Sequence, residues 1–110
     1  MTVRDMVRER CDEMLTAPPP SRLRDILIEF TGLHHRCLNE VREAEHDYAL
    51  VLLRCLDAGE AANRAKIRAQ VSPEYGRKRE ADDTTTIVME TIRSIKASLR
   101  SLDEEMRLAR

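Results

Sequence analysis

The residues from Ala81 to Ala109 repeat apolar or small side chains at alternating intervals of four and three, without a slip for four heptads. Charged residues occupy half of the positions between them. This spacing is typical of a long α-helix that offers an a/d seam to a partner helix. Because one helix cannot bury such a seam alone, another part of the chain or another molecule must cover it. The seam positions are Ala81, Thr85, Val88, Ile92, Ile95, Leu99, Leu102, Met106 and Ala109.

A second seam with the same spacing runs from Leu23 to Cys55, and further aliphatic residues make its apolar stripe wider than one neighbour would cover. The pattern predicts two long helices, over residues 22–57 and 73–109. Ser21 is the predicted N-cap of the first, and Ser72 followed by Pro73 marks the start of the second. The second seam consists of Leu23, Leu27, Phe30, His34, Cys37, Val41, Ala44, Tyr48, Val51 and Cys55.

Composition supports an all-α protein with a single domain over residues 1–110. Only three glycines occur, aromatic residues make up 3% of the chain and charged residues 35%. We predict a short N-terminal helix over 1–17 with a capping box of Thr2 and Asp5, a proline-rich spacer over 18–21 and a short helix over 60–71.

Three local features refine this prediction. Gly59 suits the left-handed position that follows a helix. Gly32, inside the first long helix, is interpreted as a point of close approach by the N-terminal helix. The polar run near Asp82 leaves open the alternative that the second long helix is interrupted there.

Short connections make neighbouring helices antiparallel, so the sequence predicts a long, coiled-coil-like helical hairpin. Folding it about residue 66 sets seam against seam, and the surplus apolar stripe predicts self-association into an oligomeric bundle. The predicted pairs are Tyr48 with Thr85, Val41 with Ile92, His34 with Leu99, and Leu27 with Met106. The predicted seam and oligomer contacts are Leu27, Phe30, Val41, Tyr48, Val88, Ile92, Ile95, Leu99, Leu102 and Met106.

The sequence predicts no metal, cofactor or catalytic residue. His34 and Cys37 share a helix face, but a zinc site needs about four ligands and no second paired motif supplies the others. We interpret His34 as a polar seam residue and Cys37 and Cys55 as small buried hydrophobes. We interpret the acids at 40, 43, 45 and 47, around His46, as a helix face exposed to solvent. Phosphate-binding loops, nucleophile motifs and zinc-protease motifs are absent, so we expect a non-enzyme.

The formal net charge of −1 provides no overall attraction to nucleic acid or to an acidic membrane. No apolar run approaches the roughly 18–20 residues of a membrane span, and the charged N-terminus does not resemble a signal peptide. A cytoplasmic protein is therefore expected. A basic cluster at the predicted hairpin tip, with Tyr75 beside it and acids among it, leaves nucleic-acid contact open as an alternative to protein binding. The cluster comprises Arg64, Lys66, Arg68, Arg77, Lys78 and Arg79.

The middle of the chain resembles small helical-hairpin proteins of double-stranded DNA bacteriophages, often encoded among early or recombination genes. The resemblance implies a cytoplasmic accessory protein that binds replication or recombination machinery or a host defence component, and it carries over no catalytic residue. It spans roughly 40–106 and rests on Tyr48, Gly59, Arg64-Ala65-x-x-Arg68-Ala69, Tyr75, Arg77-Lys78-Arg79-Glu80-Ala81 and Ile92-Arg93-Ser94-Ile95-Lys96, followed by Leu99 and Leu102.

Overall fold

The computed structural model describes residues 2–109. Across these residues the chain is helical, with no strand, and helix accounts for 88% of it. This confirms the all-α prediction. The helices are α1 (Val3–Met14), α2 (Pro20–Asp57), α3 (Ala62–Gln70) and α4 (Pro73–Leu108).

The chain forms two compact units, of which the first comprises Met1–Arg36 and Thr86–Arg110. It therefore contains α1, the first part of α2 and the last part of α4. Apolar side chains from all three helices are buried together, which is what the amphipathic patterns of these segments predict. The buried residues are Val3 and Val7 of α1, Leu23, Ile26, Phe30 and Leu33 of α2, and Val88 and Ile95 of α4.

Ion pairs join α1 to α2 within this unit. Arg22 donates from Nε to Glu13 Oε2 at 2.5 Å and from Nη2 to Glu13 Oε1 at 2.8 Å. Arg10 donates to Glu29 Oε2 at 2.9 Å and to Glu13 Oε1 at 3.1 Å. The hydrogen bonds from Arg22 lower the pKa of Glu13, and those to Glu29 raise the pKa of Arg10. The pattern of two arginines and two glutamates orients α1 on α2.

The helix starts follow the local chemistry of their first turns. Thr2 and Asp5 form the predicted capping box, in which Thr2 Oγ1 accepts from Asp5 N and Asp5 Oδ2 accepts from Thr2 N, both at 3.2 Å. The bonds from Thr2 lower the pKa of Asp5. Ser72 Oγ accepts from Tyr75 N at 3.3 Å, as expected of the N-cap of α4.

The start of α2 differs from the prediction. Pro20 is its first residue and Pro19 O accepts from Leu23 N at 3.0 Å, so Ser21 lies inside the helix and is not its N-cap. Proline is well tolerated at the first helical position, because the N–H it lacks would have no partner within the helix. The link between α1 and α2 is therefore residues 15–19, in which Ala17 has a φ of 51°.

The structure tests the three local predictions for Gly59, Gly32 and the polar run near Asp82. Gly59 adopts a φ of +86°, as predicted for the residue after a helix end. Gly32 has no neighbour within 4 Å of the position of a Cβ atom, so its interpretation as a close approach is wrong.

α4 continues through Asp82 without a break. Its threonine hydroxyls donate to the carbonyl four residues earlier, from Thr84 to Glu80 O and from Thr85 to Ala81 O.

The second unit comprises Cys37–Thr85 and contains the last part of α2, α3 and the first part of α4. Its buried residues are small, with Ala65 and Ala69 of α3 fully buried and Cys37 and Thr84 nearly so. The rings of Tyr48 and Tyr75 pack against each other with centroids 5.3 Å apart.

This ring contact contradicts the predicted register. The predicted pairs set Tyr75 opposite residue 58, whereas its observed partner, Tyr48, is ten residues earlier in the chain, or about 15 Å along the helix axis. The connection, which contains the predicted short helix α3, therefore does not act as a symmetric turn about residue 66.

Candidate interaction surfaces

The predicted seam residues are covered to different degrees. Phe30, Val88 and Ile95 are fully buried, whereas Met106 is 61% exposed. Within one chain, the C-terminal end of the predicted seam is therefore not buried by neighbouring helices. The half-buried members are Leu27, Val41, Tyr48, Ile92, Leu99 and Leu102.

The second unit presents an exposed row on α2, which we call the α2 outer face and which consists of Glu43, Asp47, Leu50 and Leu53. Neighbours in this row are three or four residues apart, so they lie on the same side of the helix. Leu50 is 43% and Leu53 is 52% exposed, and both acids are exposed. The row is therefore acidic at its N-terminal end and aliphatic at its C-terminal end.

The same unit presents a second exposed row on α3, the α3 outer face, consisting of Arg64, Ile67, Arg68 and Val71. Ala65 and Ala69 turn inward and are fully buried, which sends these four residues outward. Ile67 is 64% exposed and Val71, which caps the helix C-terminus, is 80% exposed. The exposed aliphatics were discernible from their spacing relative to the alanines.

The basic cluster predicted at the hairpin tip is partly neutralised by local acids. Arg68 pairs with Glu60. Arg77 lies 3.5 Å from Glu74. Lys78 Nζ lies 3.4 Å from Asp82 Oδ2. The three other members, Arg64, Lys66 and Arg79, are exposed.

Tyr75, the aromatic ring beside this cluster, packs on Tyr48 and is half-buried. A nucleic-acid base could stack on it only by displacing or sharing this contact. The pairing therefore weakens the case for a stacking platform, which usually offers several accessible rings.

The histidines and cysteines do not assemble into a ligand set. His34 is half-buried with its Nε2 enclosed and lacking a hydrogen bond, Cys37 is buried, and His46 is exposed. Within residues 2–109, no three His, Cys, Asp or Glu side chains come together in a way that could hold a metal ion.

A groove that the sequence did not reveal lies between α1 and α4 in the first unit. It has a volume of about 310 Å³. The Cys11 thiol sits 3.9 Å from Thr91 Oγ1 at this groove, and the Thr91 hydroxyl also donates to Ile87 O at 2.7 Å. The lining mixes apolar and polar side chains, namely Cys11, Met14, Ile87, Glu90, Thr91 and Ser94. Such a groove can accept an apolar side chain from a partner.

Comparison with known proteins gives no relative: no family model, no curated protein and no solved structure matches the chain. Among the described residues, no helix combines the length and the apolar character required to cross a membrane.

Proposed function

We propose that this protein is a non-enzymatic helical interaction module that self-associates and binds another protein. The observation that carries the proposal is the pair of exposed aliphatic rows in the second unit, on α2 and α3. Exposed large apolar side chains that share one face of a helix are typical of a protein–protein contact, whereas scattered single ones are ordinary. The non-enzymatic part rests on the absence of a recognisable catalytic motif in the sequence.

The phage resemblance provides a setting for this proposal. In that setting the two long helices form the antiparallel hairpin of an oligomeric bundle, and the protein acts in the cytoplasm as an accessory or anti-defence factor by binding. Met106, near the end of α4, is exposed, so one chain leaves part of the predicted seam uncovered.

An accessory role in DNA replication or recombination is the second candidate. Exposed Arg64 and Arg79 favour it, because each could neutralise a phosphate. The ion pairs of Arg68, Arg77 and Lys78 and the ring contact of Tyr75 weigh against it. Protein binding is therefore the better-supported function.

Self-association is tested by light scattering coupled to size-exclusion chromatography. At micromolar concentration we expect a mass at least twice the 12.7 kDa of one chain. A thermal melt recorded by circular dichroism on the same sample checks that the chain is folded. A folded monomer across the accessible concentration range would overturn the self-association part of the proposal.

A further inference from the structure

We infer that the second copy binds through a reciprocal contact in which the α3 outer face of each molecule lies on the α2 outer face of the other. The inference rests on the proposed self-association and assigns its interface. Both faces belong to the second compact unit, Cys37–Thr85.

The first argument is charge. The α2 outer face carries two exposed acids, Glu43 and Asp47, for a net charge of −2. The α3 outer face carries two exposed arginines, Arg64 and Arg68, for a net charge of +2, and Arg68 also pairs with Glu60. Lys66 is a third exposed cation on α3, outside this face. Opposite charges on two faces of one chain attract a second copy in a reciprocal orientation.

The second argument is the match of apolar groups. Each face has two aliphatic side chains among its charges, Leu50 with Leu53 on α2 and Ile67 with Val71 on α3. Pairing the faces removes all four from water and places ion pairs beside them, at the acidic end of the α2 outer face. Charged pairs beside a buried apolar contact are usual at protein interfaces.

The third argument concerns symmetry. Because all four aliphatic side chains remain exposed, the two faces do not cover each other within one chain. A two-fold axis makes any contact between unlike faces occur twice, with each molecule contributing both. The assembly is then closed, and it predicts a dimer through this surface and not an open filament.

Charge-reversed variants provide the test. Glu43→Lys with Asp47→Lys makes the α2 outer face basic, and Arg64→Glu with Lys66→Glu makes α3 acidic. Arg68 is left unchanged because it pairs with Glu60. In sedimentation velocity, each variant alone should dimerise at least about tenfold more weakly than the parent, because like charges then face each other.

The decisive sample is an equimolar mixture of the two variants. If the faces pair, both reciprocal contacts of the mixed dimer join opposite charges, one in the original sense and one in the reversed sense. The mixture should therefore dimerise more tightly than either variant alone. Arg93→Glu with Arg100→Glu is the matched control, since both arginines are exposed on α4 outside the second unit. It should dimerise like the parent. Circular dichroism verifies that every variant remains helical.

The possible results distinguish a failure of this interface from a failure of the proposed self-association on which it rests. A parent that is monomeric overturns self-association and this interface together. A parent that dimerises while both charge-reversed variants dimerise equally well overturns the interface alone. The same conclusion follows if both variants are weakened but the mixture shows no recovery.

Discussion

At the scale of single residues, the contact between α1 and α2 depends on a few charged side chains. Glu13 accepts from both Arg22 and Arg10, and Arg10 also reaches Glu29. These side chains are partly open to solvent, so each pair is individually weak. Their geometry is nevertheless specific, because the Arg22 fork meets both carboxylate oxygens of Glu13.

The variant Glu13→Gln tests this contact. At about pH 7 we expect its melting temperature to fall by on the order of a few degrees, because the charged partner of Arg22 and Arg10 is lost. Glu9→Gln, an exposed position on the same helix, is the control and should melt like the parent.

The pH dependence of that difference has a definite sign. Since the folded-state pKa of Glu13 lies below its ordinary value of 4.5, the pairing contributes fully above 4.5 and is lost as the pH falls through the folded-state pKa. The parent and Glu13→Gln should therefore converge in stability in acid. A difference that persists unchanged at about pH 2 would contradict this role of the carboxylate.

At the scale of helices, α4 is continuous but unevenly covered. Ile95 is fully buried, whereas Met106, eleven residues later on the same predicted seam, is 61% exposed. A heptad pattern identifies the side of a helix that can be buried. It does not indicate how far along the helix a neighbouring helix extends.

Alanine substitutions at these two positions should therefore differ strongly. Ile95→Ala should lower the free energy of unfolding by about 2–5 kcal/mol, because it removes buried methyl groups and leaves a cavity. Met106→Ala should change it by less than about 0.5 kcal/mol at low protein concentration, since its side chain is mainly in water. Urea unfolding followed by circular dichroism measures both. Equal losses would show that Met106 is as well covered as Ile95.

At the scale of the whole molecule, charge is balanced overall and divided locally. The net charge is −1, yet α3 carries three cations and no acid, and the α2 stretch over 40–47 carries four acids. Such a division favours a contact between copies over a general attraction to a polyanion, because a polyanion repels the acidic stretch.

Binding to a labelled single-stranded DNA distinguishes the two candidate functions. At about 0.15 M salt we expect no appreciable binding in fluorescence anisotropy, because three of the six tip cations already have acidic partners and salt screens the attraction of the others. Arg77→Ala with Lys78→Ala and Arg79→Ala should then change nothing. Micromolar binding by the parent that this triple variant abolishes, while Arg93→Ala with Arg100→Ala retains it, would make nucleic acid the favoured partner.

The local features of this fold were determined by the sequence alone. The all-α class, the Thr2–Asp5 capping box, the Ser72 cap and the left-handed Gly59 depend on side chains within a few residues of each other, so spacing and residue type suffice to predict them.

Tertiary structure decided the features that join distant residues. These are the register shown by Tyr48 and Tyr75, the salt bridges between α1 and α2, and the groove at Cys11. It also decided which aliphatic side chains remain exposed on α2 and α3. A periodic pattern is compatible with many registers and many neighbours. The choice among them depends on how the connection through α3 packs and on the contacts that become possible only once the helices are in place.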